Sequence, residues 1–403
     1  MLRVLPLASP ITPPDAVAAV IESVSSRLAA SGATHSVVIA AEDADALLIV
    51  SGGTEHLALA ALERGDGPAI LLAHPDRNSL PAALEILTRV RQRGRAGRIV
   101  LVKETADADE AVARLGRQLE IRGRLRTARL GRIGAPSDWL VASTPGVAEV
   151  ASAWGPALVD VPLEELVEEL HHGEPGEIAA IRANVAAGAG AVVEPSPADL
   201  DTAAAVAAAL RRVVGRHHLD ACTVRCFDLV VDRGTTGCLA ISWLLDEGIV
   251  AGCEGDVPAT LTMLWLQLTT GQPAFMANPQ DVDPAANTVD LAHCTIARRL
   301  VSHYTLRSHF ESSMGVGIAG TVGPGPATLA RVGGADLREA FLADGEIVAS
   351  GDSERRCRTQ VRLRLETPVA DLLVRPIGNH HVLARGHWAA ELRDYHELFV
   401  ARA

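Results

Sequence analysis

Four short apolar runs, separated by stretches of helical character, constrain this chain more than any other feature. SVVIA at 36, ALLIV at 46, AILLA at 69 and RIVLV at 98 alternate with segments such as 80 to 94, where Leu80, Leu84, Leu87 and Val90 recur at helical spacing. The alternation predicts a parallel sheet wrapped by helices, a Rossmann-like layout, over residues 14 to 142. The layout does not make a nucleotide site, because no GxGxxG follows a strand. The nearest glycine pair lies in SGGTEH, 51 to 56, where Gly52 and Gly53 end a strand and Thr54 can cap the next helix or meet a ligand. A tight strand-to-helix turn accounts for these residues equally well.

A second unit of the same kind follows WLVAS at 139. It comprises ALVDVP at 157, Ala-rich helices over 162 to 214, the strand ACTVRCF at 221, a helix from Thr235 or Thr236, and IVAGCEGD. Beyond about 275 the period changes to two, in HYTLRSHFE (303 to 311), ATLARVGG (327 to 334) and CRTQVRLRLE (357 to 366). The fold class expected is therefore α/β. Two doubly wound domains, 1–145 and 146–272, precede a β-rich, antiparallel or barrel-like domain, 273–403.

Composition narrows the partners. The chain has 403 residues, 48% hydrophobic and 21% charged, enough to bury large cores, and its net charge of -12 argues against nucleic acid and anionic membranes. No apolar run reaches the roughly 18–20 residues of a bilayer span, and MLRVLPLASPITPP lacks the layout of an export signal, so a cytoplasmic location is expected. Cys222, Cys226, Cys238, Cys253, Cys294 and Cys357 form no CxxC pair. They read as reduced core thiols, and a structural zinc site is not expected.

Candidate chemistry concentrates between Glu254 and His387. IVAGC brings a strand to its carboxyl end at Glu254, Gly255 lets the chain turn, and Asp256 suits either an N-cap or a site residue. A carboxylate beside apolar Cys253 needs a cation or a donor. Asn278, Asp281, Asp283, Asn287 and Asp290 surround a loop leading to His293, an oxygen-rich set with one imidazole that suits a divalent metal. Core or solubilising roles fit the same residues. IGNHHVLARGHW holds His380, His381 and His387, and since neighbouring strand residues face opposite ways, only one of His380 and His381 can enter a given site. In YTLRSHFESS, Thr305, Arg307, His309 and Glu311 share one face, able to grip sugar hydroxyls or to meet water. GVGIAG at 315 has neither the lysine nor the helix of a phosphate loop.

Taken in order, IVAGCEGDVPATLTML, PAFMAN, DLAHC and GNHH…GHW resemble the L-fucose isomerase group, with arabinose isomerases as more distant relatives. SGGTE, NSLPAALE and PSDWL extend the resemblance over nearly the whole chain. It implies a homo-oligomer, trimeric or hexameric, with active sites shared between subunits, a small-molecule sugar substrate and a divalent metal, Mn²⁺. It also implies that Glu254 is acid/base and metal ligand, that His380 ligates, and that His293 matches a ligand of the arabinose branch. Asn278 stands where fucose isomerases have an aspartate that serves as second ligand and base. An amide can ligate through oxygen but cannot take a proton. Either Asp256 or Asp281 supplies the carboxylate, or the chemistry differs.

The function expected is aldose–ketose isomerisation through a cis-enediol. Glu254 and Asp256 are the catalytic candidates, and Glu254, Asn278, His293 and His380 the metal candidates. Thr54, Arg307, His309, Glu311 and His387 are the sugar-binding candidates. Two rivals stand beside it: a non-catalytic sugar- or metal-binding paralogue, motivated by Asn278, and an isomerase of a modified or phosphorylated sugar, which calls for a cationic pocket near Arg307 or His309.

Overall fold

The computed structural model describes residues 1–65 and 67–401. It divides into two compact units, Met1–Arg124 with the chain's end from Asp394, and Leu125–Arg393.

In the first unit, β1 (Leu2–Leu7), β2 (His35–Val37), β3 (Ala46–Ile49), β4 (Ala69–Ala73) and β5 (Gly97–Leu101) form a parallel sheet in the order 2-1-3-4-5. Strand geometry sends successive side chains to opposite faces, so each apolar run feeds two cores. Leu48, Val50, Ile70 and Leu72 join one cluster, Leu47, Ile49, Leu71 and Ala73 the other. The strand between β2 and β3 is β1, from the N-terminal stretch noted above only for its lack of an export signal. SVVIA contributes just an edge strand, with Ile39 97% exposed. Near the chain's end, Asp394 accepts bonds from Arg98 and Gln118, and Leu398 enters the first core.

The second unit has a parallel sheet of β6 (Arg129–Ile133), β7 (Ala157–Val161), β8 (Ala221–Val224) and β9 (Val250–Cys253), ordered 7-6-8-9. Its antiparallel part contains β10 (Phe275–Asp283), β11 (Thr288–His293), β12 (His303–Arg307), β13 (Gly317–Thr321), β14 (Gly325–Gly333), β15 (Glu339–Gly351), β16 (Thr359–Leu365) and β17 (His381–Arg385). Six of these strands close a barrel in the order 10-11-16-15-14-17, and β12 pairs with β13. The α/β class with a barrel-like C-terminal part is therefore as expected.

The division of the chain differs from the expected boundaries at 145 and 272. β6 hydrogen-bonds to β7 and β8, which draws residues from 125 onward into the second unit. The helix Val257–Thr270 packs on β9, β14 and β17, tying sheet and barrel together. Its residues from Val257 to Leu266 are all buried, as befits a helix apolar nearly all round. Its buried threonines are satisfied: Thr262 donates to Pro258 O at 2.7 Å and accepts from Val332 N at 2.9 Å. Among the described residues no helix is long and apolar enough to cross a membrane.

Candidate active site

Strand β9 ends at Cys253, and the next two residues adopt left-handed backbone, Glu254 at φ 64° and Gly255 at φ 75°. A Cβ at Gly255 would lie 2.6 Å from Pro136 Cα, so this turn requires glycine. Glutamate has no such freedom and gives up about 1–2 kcal/mol in that conformation. The turn aims the Glu254 carboxylate into a cavity of about 470 Å³ while leaving the residue only 7% exposed. Trp139 Nε1 donates to its Oε2 at 2.6 Å, and Ser137 N donates to its backbone oxygen at 2.8 Å.

Asp256 lies behind this turn and caps the helix Val257–Thr270, its Oδ1 accepting from Ala259 N at 2.9 Å. Its Oδ2 accepts from fully buried Arg331 at 3.0 Å and pairs with His380 Nδ1 at 2.9 Å. Arg331 also reaches Ser143 Oγ at 2.7 Å. Burial alone would raise the Asp256 carboxyl, but the Arg331 charge and the His380 bond hold it at about 2. Asp256 therefore orients His380 and has no lone pair directed at the cavity.

His380 Nε2 is buried without a hydrogen-bond partner, 3.6 Å from Glu254 Oε1. Burial pulls this imidazole down, yet the two carboxylates outweigh it and carry it to about 9. Either a proton on Nε2 or a cation in its place satisfies the buried Glu254 charge. His293 sits at the end of β11, its ring centroid 5.4 Å from that of His380. Its Nδ1 meets Thr295 Oγ1 at 2.9 Å, and burial lowers it to about 4, so it is neutral, the form that ligates metals. Asn278, on β10, lines the cavity with a buried Oδ1 that has no partner. His380 Nε2 and Asn278 Oδ1 are the orphaned atoms, and a divalent cation beside the Glu254 carboxylate and neutral His293 could take up their lone pairs; the Asp256–His380 pair is the carboxylate–histidine arrangement that orients a metal ligand.

The remaining candidates separate. His309 and Glu311 line the cavity. The expected strand alternation stops at Arg307, where β12 ends, so Phe310 from the opposite expected face lines it too. Arg307 does not; Glu194 and Glu354 hold its guanidinium. His387 donates to Gly345 O at 3.2 Å, near Glu346 and Glu366, and is not a lining residue. Thr54 belongs to the first unit, fully buried, its hydroxyl donating to Ser51 O at 2.9 Å. Asp281 is exposed and 3.6 Å from Arg356. His381 turns away from His380, with its ring 5.5 Å from Phe341.

Several lining residues were not singled out as site candidates in the sequence. Trp139, 51% exposed, packs edge-on to Phe227 at 4.9 Å, and Phe227 meets His309 at 5.6 Å, giving the cavity an aromatic wall. The PSDWL segment around Trp139 was the available signal. More unexpectedly, five cysteines line the cavity, Cys226, Cys238, Cys253, Cys294 and Cys357. All six in the chain are buried and unbridged. Cys226 Sγ and Cys253 Sγ lie 2.9 Å apart, and that bond, with burial, pushes the Cys253 thiol up. No lysine or arginine is among the described lining residues.

The chain is similar to the sulfoquinovose isomerase of Alkalicoccus urumqiensis, at 25% identity over 202 residues, 47% of this chain and 45% of that protein. It is also similar to the sulfoquinovose isomerase of a Clostridium species, at 35% over 80 residues, 20% of this chain and 18% of that one. That of Priestia aryabhattai matches at 28% over 87 residues, 21% of this chain and 20% of the relative. The chain thus spans about half the length, or less, of the curated relatives it matches. No protein-family model matches it.

Proposed function

We propose that the chain is an aldose–ketose isomerase acting through a cis-enediol with a divalent metal. The observation that carries this reading is Glu254, held in strained backbone with its carboxylate inside a cavity whose wall also bears the orphaned Asn278 Oδ1. The similarity to proteins named sulfoquinovose isomerase supports the same reaction class.

Isomerisation moves a proton between C2 and C1 of the sugar while O1 and O2 exchange carbonyl and hydroxyl character. Glu254 takes the C2 proton and returns it to C1. Its bond from Trp139 Nε1 fixes one oxygen and leaves Oε1 for this work. Asp256, which cannot reach substrate, sets the tautomer and orientation of His380. A divalent ion, when bound, would stabilise negative charge developing on O1 and O2. Trp139, Phe227 and Phe310 give the sugar an apolar wall, while Gln280, Asn379 and His309 offer hydrogen bonds to its hydroxyls. Glu311, a second lining carboxylate, can accept a hydroxyl proton in place of the aspartate that Asn278 replaces. Assembly as a trimer or hexamer with shared sites belongs to the same reading and is checked by light scattering.

The modified-sugar reading is carried by the relatives' name, which makes sulfoquinovose the first compound to try. With Arg307 engaged by two glutamates, an anionic group in this chain's own cavity would rest on His309 and neutral donors. The experiment is incubation of chelator-stripped protein in D₂O, with and without divalent metal, against sulfoquinovose and neutral aldoses, following ketose and C2 deuterium by NMR. Metal-dependent ketose carrying solvent deuterium is expected. Sugar binding with no exchange for any compound would instead establish the non-catalytic paralogue.

A further inference from the structure

Proton transfer at C2 of an aldose needs no thiol, yet five cysteines surround the cavity. One of them stands among the metal candidates. Cys253 Sγ, a Glu254 carboxylate oxygen and a His293 ring nitrogen lie within 4.8 Å of one another, and all three residues are buried. Zinc-like ions sit about 2.0–2.3 Å from nitrogen, oxygen and sulfur donors, so donors at this spacing can close on one ion with small side-chain rotations.

Local structure places all three. Cys253 is the last residue of β9 and Glu254 the first of the turn, so the two enter the cavity as neighbours only because the left-handed φ at Glu254 breaks the strand alternation. His293 ends β11, and its bond to Thr295 through Nδ1 leaves Nε2 as the ring atom for a ligand. Behind Cys253 the Cys226 thiol, 2.9 Å away, can donate to the sulfur, the kind of outer partner that orients a ligand.

We propose that Cys253 is a metal ligand of this cavity, together with Glu254 and His293, and that the chain therefore takes a borderline cation, Zn²⁺ or Co²⁺, in preference to Mn²⁺. The proposal rests on the reading of the cavity as a metal site and changes the ion assigned to it. On binding, the Cys253 S–H bond breaks, its proton passes to water and the sulfur lone pair goes to the cation, with no change in oxidation state. Thiolate favours softer cations than an all-oxygen set does. The absence of a CxxC pair is no obstacle, because the donors come from β9, its turn and β11.

The test is titration of chelator-stripped, reduced, full-length protein with Co²⁺ in the absence of oxygen. Bound metal is measured by equilibrium dialysis, and thiolate-to-Co²⁺ charge transfer by near-ultraviolet absorption. The wild type should bind Co²⁺ with a charge-transfer band, and so should Cys222→Ser, a control at a buried thiol that does not line the cavity. Cys253→Ser should lose the band, and its Zn²⁺ affinity should fall by at least the roughly 10–100-fold that loss of a mere outer partner costs, with little change for Mn²⁺. Circular dichroism establishes that each variant is folded, and Cys253→Ala provides a second removal of the sulfur. Co²⁺ bound to wild type without the band would overturn the proposal and leave the metal reading standing. A band that persists in Cys253→Ser would assign the sulfur to another cysteine and overturn it as well. No Co²⁺ binding at all would remove both.

Discussion

The chain contains two strand-to-helix turns of nearly the same design, and they come out oppositely. Ser51–Thr54 follows β3 in the first unit, with Gly53 at φ 77°, and Cys253–Asp256 follows β9 in the second, with Gly255 at φ 75°. In the first, the polar groups of Ser51, Gly52 and Thr54 are satisfied at home. Thr54 Oγ1 donates to Ser51 O, Ser51 Oγ accepts from Ser9 N and Thr12, and Gly52 N donates to Arg77 O. In the second, the residue before glycine is a glutamate in left-handed backbone, and nearby His380 Nε2 and Asn278 Oδ1 are buried without partners. A turn whose polar groups are engaged locally is accounted for by structure; one that faces unpartnered buried atoms across a cavity is a candidate site.

The largest expected effect tests the second turn. Glu254→Gln preserves shape but cannot take a proton, and should lower isomerisation and C2 exchange by about 10²–10⁴-fold; an active variant would move the base to Glu311. Next is Arg331→Met. It leaves the Asp256 carboxylate buried beside His380 without its fully buried cation, and urea unfolding should register a loss of about 3–5 kcal/mol. A near-neutral result would mean that His380 alone satisfies Asp256. Gly255→Ala forces Cβ against Pro136 and a side chain into positive φ, at about 1–3 kcal/mol, and should impair turnover as well because Glu254 is displaced. The matching change in the first turn, Thr54→Val, should cost only about 1 kcal/mol and leave kcat unaltered. A kcat loss there would return that turn to the list of ligand loops.

The smallest effect is a control outside both turns. Glu169 is held below its ordinary value of 4.5, first by its bond with Arg212, at 2.8 Å, and also by Arg216. Because the folded-state value is depressed, its stabilisation is fully present above pH 4.5 and is lost as pH falls through the folded-state value. Glu169→Gln should flatten that acid limb of the unfolding curve, while an unchanged limb would assign the acid loss to other carboxylates.

Much of the fold was legible because apolar runs and periods are local. Most of the parallel strands, though neither β1 nor β6, and the switch to period two after about 275 follow from which side chains repeat and at what interval. β1 escaped because its short run carries Pro6 and precedes the first helix without the alternation that marked the others. In the site, Glu254 and the parting of His380 from His381 could be read from position alone. Arg307, grouped with His309 and Glu311 by strand period, is engaged elsewhere because β12 ends beneath it.

The sequence by itself determined that a glutamate would end an apolar strand beside a glycine, that a histidine pair would split across a strand, and that the chain would carry α/β layers before a β-rich part. Those outcomes depend on neighbours along the chain and on backbone geometry. Tertiary structure alone decided that Asp256 would be consumed by Arg331 and His380, and that five cysteines lying between 226 and 357 would meet around one cavity. Hydrogen-bond satisfaction and donor convergence depend on which strands and helices lie side by side, and the order of the parallel sheet together with barrel closure sets that, not sequence separation.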